Sequence, residues 1–92
     1  MINENLFKAL ADPKRRKILL LLRNGKLTAG ELANKCDLKD SAISYHLKLL
    51  KKNDLICEER YKNFIYYEIN TSILDEIILW INSLKGGNLN EK

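Results

Sequence analysis

Along residues 2 to 10, Ile2, Leu6, Phe7 and Leu10 recur at helical spacing, and the stretch stops before Asp12-Pro13. Asp12 as an N-cap with Pro13 at the first helical position predicts a second helix running to about Arg23 and closed by Asn24-Gly25. Residues 28 to 50 read as two short helices joined by a tight turn. The first opens on a capping box, in which Thr28 accepts from the amide three residues on while Glu31 reaches back to the Thr28 amide, and it ends near Cys36. On a wheel of about 100° per residue, the second turns Ile43, Leu47 and Leu50 one way, with His46 at the edge of that stripe. Ser41, Ser44, Tyr45, Lys48, Lys51 and Lys52 point the other way. The pair is a helix-turn-helix.

After Asn53-Asp54 the pattern becomes strand-like. Leu55 to Arg60 and Phe64 to Ile69 predict two strands joined by Tyr61-Lys62-Asn63, with Asn63 suited to positive φ. This hairpin is a wing whose tip carries Arg60, Lys62 and Asn63, able to reach a groove or backbone if the preceding helix lies in the major groove. Its Phe64, Ile65, Tyr66 and Tyr67 read as strand packing rather than a base-stacking platform. Asn70-Thr71-Ser72 then caps a last helix, in which Ile73, Leu74, Ile77, Ile78, Trp80, Ile81 and Leu84 cover more than one face. A helix apolar over so wide an arc is buried on two sides, one by its own core and the other by a second subunit, with help from the first helix. Ile2, Leu6, Ile77, Trp80, Ile81 and Leu84 are the expected interface. The expected fold class is mainly α with a small β-hairpin, a winged helix-turn-helix of four helices, two strands and a final helix. Residues 1–85 form one DNA-binding and dimerisation domain in this reading, and 86–92 a disordered tail.

Charge sharpens the picture. The 92 residues carry a net charge of +4, spread unevenly: residues 1–26 hold seven Lys/Arg against two acids, and residues 63–92 hold two against four. The basic half and the helix-turn-helix lie together in sequence, as a nucleic-acid-binding chain requires. A solvated helix face mixes both signs, whereas the exposed face of residues 40 to 53 offers hydroxyls and lysines, which suit base edges and phosphates. Ser41, Ser44 and Tyr45, toward the N-terminal half of that helix, are candidates for base or backbone contact, and Lys48, Lys51, Arg60 and Lys62 for phosphates. Lys14, Arg15, Arg16 and Lys17 crowd the first turns of the second helix, where the macrodipole disfavours each cation by about 0.3–1 kcal/mol. An anion has to compensate: DNA phosphate on Arg15 and Arg16 is one candidate, and Asp12, other carboxylates and solvent are the other.

Several classes drop out. No run approaches the roughly 18 apolar residues of a membrane span, and Met1 to Leu10 lacks a signal-peptide pattern, so a cytoplasmic protein is expected. Cys36 and Cys57 are far apart, without a CxxC pair or accompanying histidines, which indicates neither a disulfide framework nor a zinc site. His46 is the single histidine, so triad chemistry and multi-His metal catalysis lack partners; a structural hydrogen bond at the core edge suits it better. No enzyme, cofactor or metal is expected.

Asp12-Pro13-x-Arg15-Arg16-x-Ile18-Leu19 together with Ser44-x-His46-Leu47-x-x-Leu50, a wing ending in FIYYEIN and a final apolar helix resembles the ArsR-type bacterial winged-helix repressors over residues 5 to 84. Within that family the chain looks most like the metal-independent autorepressor branch of the sporulation-delaying-protein operon, which shares the FIYY wing strand. The resemblance implies a homodimer joined through its first and last helices, with two recognition helices in successive major grooves of an imperfect palindromic operator in double-stranded DNA. It implies repression by occluding a promoter. Metal-sensing members carry a cysteine pair near the start of the third helix, where this chain has Lys26-Leu27-Thr28-Ala29-Gly30. Others bind zinc between the last helices through Asp and His, but Thr71 to Lys85 contains no His, and Asp75 and Glu76 alone are poor zinc ligands. The wing tip has Lys62-Asn63 where the family usually has glycine. Two alternatives stay open at this level: a winged-helix module that docks proteins instead of DNA, and a repressor with an atypical thiol or metal effector. The derepressing signal, including an unidentified partner protein, stays open too.

Overall fold

The computed structural model describes residues 2–86; the tail expected over 86–92 lies outside them apart from Gly86. In chain order the elements are α1 (Glu4–Ala11), α2 (Pro13–Leu22), β1 (Leu27–Thr28), α3 (Ala29–Cys36), α4 (Asp40–Lys52), β2 (Ile56–Tyr61), β3 (Phe64–Ile69) and α5 (Thr71–Leu84). The caps are those the side chains dictate. The Asn3 side chain accepts from Leu6 N, Asp12 accepts from Lys14 N at 2.7 Å, and Asn70 accepts from Ser72 N. The Thr28–Glu31 capping box is complete in both directions. Each box or cap supplies acceptors for helix-end amides that have no partner inside the helix.

Leu6, Ile18, Leu32, Ile43, Leu50, Leu55 and Ile56 are essentially solvent-free, so α1 to α4 and the root of the wing share one core. The turn between α3 and α4 is held by Asp37 in the left-handed conformation (φ 53°, ψ 48°) and by Leu38 N donating to the Ala33 carbonyl at 3.0 Å. Asp54 (φ 61°) ends α4 in the same way, with Leu55 N donating to the Leu50 carbonyl. These donors satisfy carbonyls that the helices leave open, and the chain reverses direction without exposing them.

Two features were not anticipated. Leu27–Thr28 forms a short strand antiparallel to β3, pairing Leu27 with Tyr67 and Thr28 with Tyr66, so the sheet has three strands in the order β1-β3-β2. A two-residue strand carries too little alternation to be seen in sequence. The hairpin pairs Tyr61 with Phe64, and its positive φ falls on Lys62 (56°), not on Asn63 as expected. Lys62 occupies the first central position of a two-residue turn, where the right-handed strand twist favours positive φ.

The first helix also differs from expectation in which side chains face outward. Leu6, assigned to the interface, is 2% exposed and belongs to the chain's own core. Phe7 is the large apolar residue of α1 that faces outward, with its ring centroid 5.1 Å from that of Trp80 on α5. Ile2 and Ile77 are partly buried against the core, while Trp80, Ile81 and Leu84 stay exposed.

Candidate nucleic-acid interface

Helix α4 sorts its side chains as the wheel requires. Ile43, His46, Leu47 and Leu50 are buried, and Ser41, Ser44, Tyr45, Lys48, Lys51 and Lys52 are exposed along one continuous face. Burial of the apolar stripe against the core fixes the rotation of the helix, so the polar face is presented as a rigid strip rather than a mobile one. The basic residues Lys51 and Lys52 lie in its last turn, where the helix dipole favours them.

His46 is the fixed point on the opposite side. Arg15 Nη1 lies 3.2 Å from His46 Nδ1. A guanidinium can only donate, so Nδ1 accepts and the ring is the neutral form protonated at Nε2. Burial pushes His46 below the usual histidine range; Asp12 opposes this and Arg15 and Lys14 reinforce it.

Arg15 is committed inside the fold. Only 9% exposed, it donates from Nε to the Ala9 carbonyl at 2.7 Å and from Nη2 to the Lys8 carbonyl at 3.2 Å, while Asp12 Oδ2 lies 3.8 Å from Nη1. Arg16, though exposed, donates from Nη1 to the carbonyls of Leu10 and Ala11 at 2.8 and 2.9 Å. These four carbonyls are the last of α1. The anion that compensates the cationic start of α2 is therefore the negative end of the preceding helix dipole. Arg15 is thus a structural cap, its guanidinium held between the end of α1 and His46 rather than free on the surface.

The wing lies beside α4. Ser44, Lys48, Lys51, Glu58 and Tyr67 line a depression of about 220 Å³ between them. Lys51 Nζ is 3.1 Å from Glu58 Oε1, and Lys26 Nζ is 2.9 Å from Glu59 Oε1. Neither pair has a local signature in the sequence, because each joins residues from different elements. Glu59, by hydrogen bond and charge, holds the Lys26 ammonium above its usual range. At the wing tip Arg60, Lys62 and Asn63 are exposed, and Lys62 Nζ sits 5.4 Å from the centre of the Tyr61 ring.

Among the described residues no three His, Cys, Asp or Glu side chains gather where a metal ion would need them. Cys36 is half-buried on α3 and Cys57 exposed on β2, both as free thiols. Burial raises the Cys36 thiol above its ordinary value, the opposite of the shift that activates a cysteine. No helix among the described residues is long and apolar enough to cross a membrane.

Residues 10–58 match the helix-turn-helix domain family model. The chain is 46% identical over 77 residues to the transcriptional repressor SdpR of Bacillus subtilis, covering 84% of this chain and 86% of that protein. It is 34% identical over 83 residues to the arsenical resistance operon repressor of Staphylococcus aureus, covering 90% of this chain and 80% of that one. Among solved structures, an ArsR family transcriptional regulator superposes with a TM-score of 0.81 at 26% identity, over 88% of this chain and 89% of that chain.

Proposed function

Because the chain belongs to the ArsR-type family of winged helix-turn-helix regulators, we propose that it is a dimeric, sequence-specific repressor of transcription that acts in the cytoplasm without a metal effector. Helix α4 enters the major groove with Ser41, Ser44 and Tyr45 against base edges. Lys48, Lys51, Arg60 and Lys62 meet phosphates, with Asn63 at the wing tip, and Arg16 is near enough to the surface to add a weaker backbone contact. The observation that carries this reading is the exposed strip of α4, which after Asp40 in the first turn holds only hydroxyls, a phenol and lysines, where an ordinary solvated helix alternates charge along its length. Trp80, Ile81 and Leu84, joined by Phe7, cover themselves with the same surface of a second copy, and Ile2 and Ile77 flank that contact. Two such copies set their recognition helices about 34 Å apart, one turn of duplex, on the same side of an imperfect palindrome.

A mobility-shift titration against the DNA upstream of the protein's own gene, beside a scrambled duplex, tests this. Ser44→Ala is expected to weaken specific binding by about 1–3 kcal/mol while leaving the scrambled duplex almost unaffected. Equal loss on both duplexes would remove Ser44 from base reading. Wild-type protein that fails to prefer its own promoter would remove the repressor reading and favour a protein-docking module. Chelator competition that detects a tightly held zinc ion would overturn metal independence.

A further inference from the structure

We propose that the hollow between α1 and α4 binds a phosphoryl oxyanion. It measures about 310 Å³ and is lined chiefly by Asn5, Lys8, Arg15, Tyr45, Lys52 and Asn53. Three of these are cations, the other three supply amide or phenol groups, and no carboxylate lines the hollow. The opposite flank of α4 is built differently, with Lys51 on Glu58 and Lys26 on Glu59. Among the described residues Lys52 has no ion pair, and Lys8 reaches only the exposed Glu4, at 3.4 Å, a kind of pair that contributes little in water.

Arg15 makes the hollow more than a patch of surface lysines. It is nine-tenths buried and held by the Ala9 carbonyl, the Lys8 carbonyl and His46, so it cannot swing out into solvent; the carboxylate near it, Asp12 at 3.8 Å from Nη1, does not line the hollow. Nη2 carries two N–H groups, and the Lys8 carbonyl takes one of them. A fixed guanidinium beside two lysines of adjustable reach matches the geometry and charge of a phosphoryl group, and the low exposure of Arg15 strengthens the attraction. Two sources share this chemistry: a backbone phosphate of duplex DNA lying along the outer edge of α4, and free phosphate in solution. In the second case the anion touches Tyr45, and so the recognition strip. The free-phosphate case stands apart from the DNA reading, and the duplex case rests on it.

The test uses the full chain and two probes. Inorganic phosphate is titrated against chloride at constant ionic strength while the backbone amides of Asn5, Lys8 and Asn53 are followed by NMR. The salt dependence of promoter-duplex affinity is measured for wild type and for the Lys8→Gln/Lys52→Gln double variant. Both lysines are exposed, so the variant is expected to fold, which its thermal unfolding checks; Lys52→Gln alone serves if it does not. A lowered slope of log affinity against log salt, by about 0.9 per protomer, assigns the site to the duplex, with or without saturation by free phosphate. Saturable amide shifts that the variant loses, with the slope unchanged, assign it to the free anion. Neither a slope change nor a saturable shift overturns the proposal while leaving Ser44-dependent promoter preference intact. A wild-type protein that saturates with phosphate but ignores duplex DNA would sink the repressor reading and leave this site standing.

Discussion

Helices α4 and α5 have nearly the same length, 13 and 14 residues, and both carry a strong apolar stripe. In α4 every residue of the stripe is buried, from Ile43 to Leu50, because α2, α3 and the root of the wing pack against it. In α5 only Ile73 is fully buried; Trp80, Ile81 and Leu84 are 41%, 47% and 65% exposed. The N-terminal half of α5 meets the core through Ile73, Leu74 and Ile77, whereas its C-terminal half touches the rest of the chain through Trp80 on Phe7. The same periodicity thus has two meanings. One stripe is completed within the chain and makes a rigid platform for the polar face opposite; the other is left for a partner, since a contiguous apolar surface in water costs about 25 cal/mol per Å² and invites association.

The largest expected effect breaks the comparison at α5. Ile81→Glu, at a half-exposed position, is expected to leave a folded monomer that no longer binds its operator, although α4 is untouched. Sedimentation and mobility shift on the same sample check it. A wild type that is monomeric at micromolar concentration and still grips a half-site tightly would contradict the shared-surface reading.

Leu50→Ala and Leu84→Ala remove the same atoms from the two stripes. The first, at a solvent-free site, is expected to cost about 2–5 kcal/mol of stability in urea unfolding. The second is expected to change unfolding only through its dependence on protein concentration. Equal, concentration-independent losses would show that α5 is completed inside one chain after all.

Arg15→Ala is expected to destabilise the protein by about 2–4 kcal/mol, since it removes a buried cation with two carbonyl acceptors and leaves His46 Nδ1 without its donor. Arg16→Ala, on exposed carbonyls, is expected to cost less than about 1 kcal/mol. Chemical unfolding of the two variants side by side checks the order, and a reversal would contradict Arg15's role as the buried cap of α1.

The smallest effect is a pH dependence. His46 is held neutral in the folded chain and titrates at the ordinary value when unfolded, so the unfolded state binds more protons as the solution acidifies. Its contribution to stability is fully present above pH 6.5, the ordinary histidine value, and is lost as pH falls from there toward the lower native value. Differential urea unfolding of wild type and His46→Gln across pH 7.5 to 5 checks it; the variant is expected to lack this component. Equal pH slopes would remove the buried ring from the balance.

How much of this was legible in the chain divides along the range of the forces involved. The capping box at Thr28–Glu31, Pro13 behind Asp12, the helix ends at Cys36 and Asn53, and the exposed strip of α4 were all readable, because each depends on residues within about one helical turn of each other. The family resemblance was carried by those same local strings. What the tertiary structure alone decided joins residues distant in sequence: Arg15 on the end of α1 and on His46, Lys51 on Glu58, β1 on β3, and Phe7 rather than Leu6 beside Trp80. A cation's neighbours across the fold determine whether its charge faces DNA or closes a helix end, and a stripe's neighbours determine whether it is core or interface. Periodicity states which side chains share a face; only packing states what that face meets.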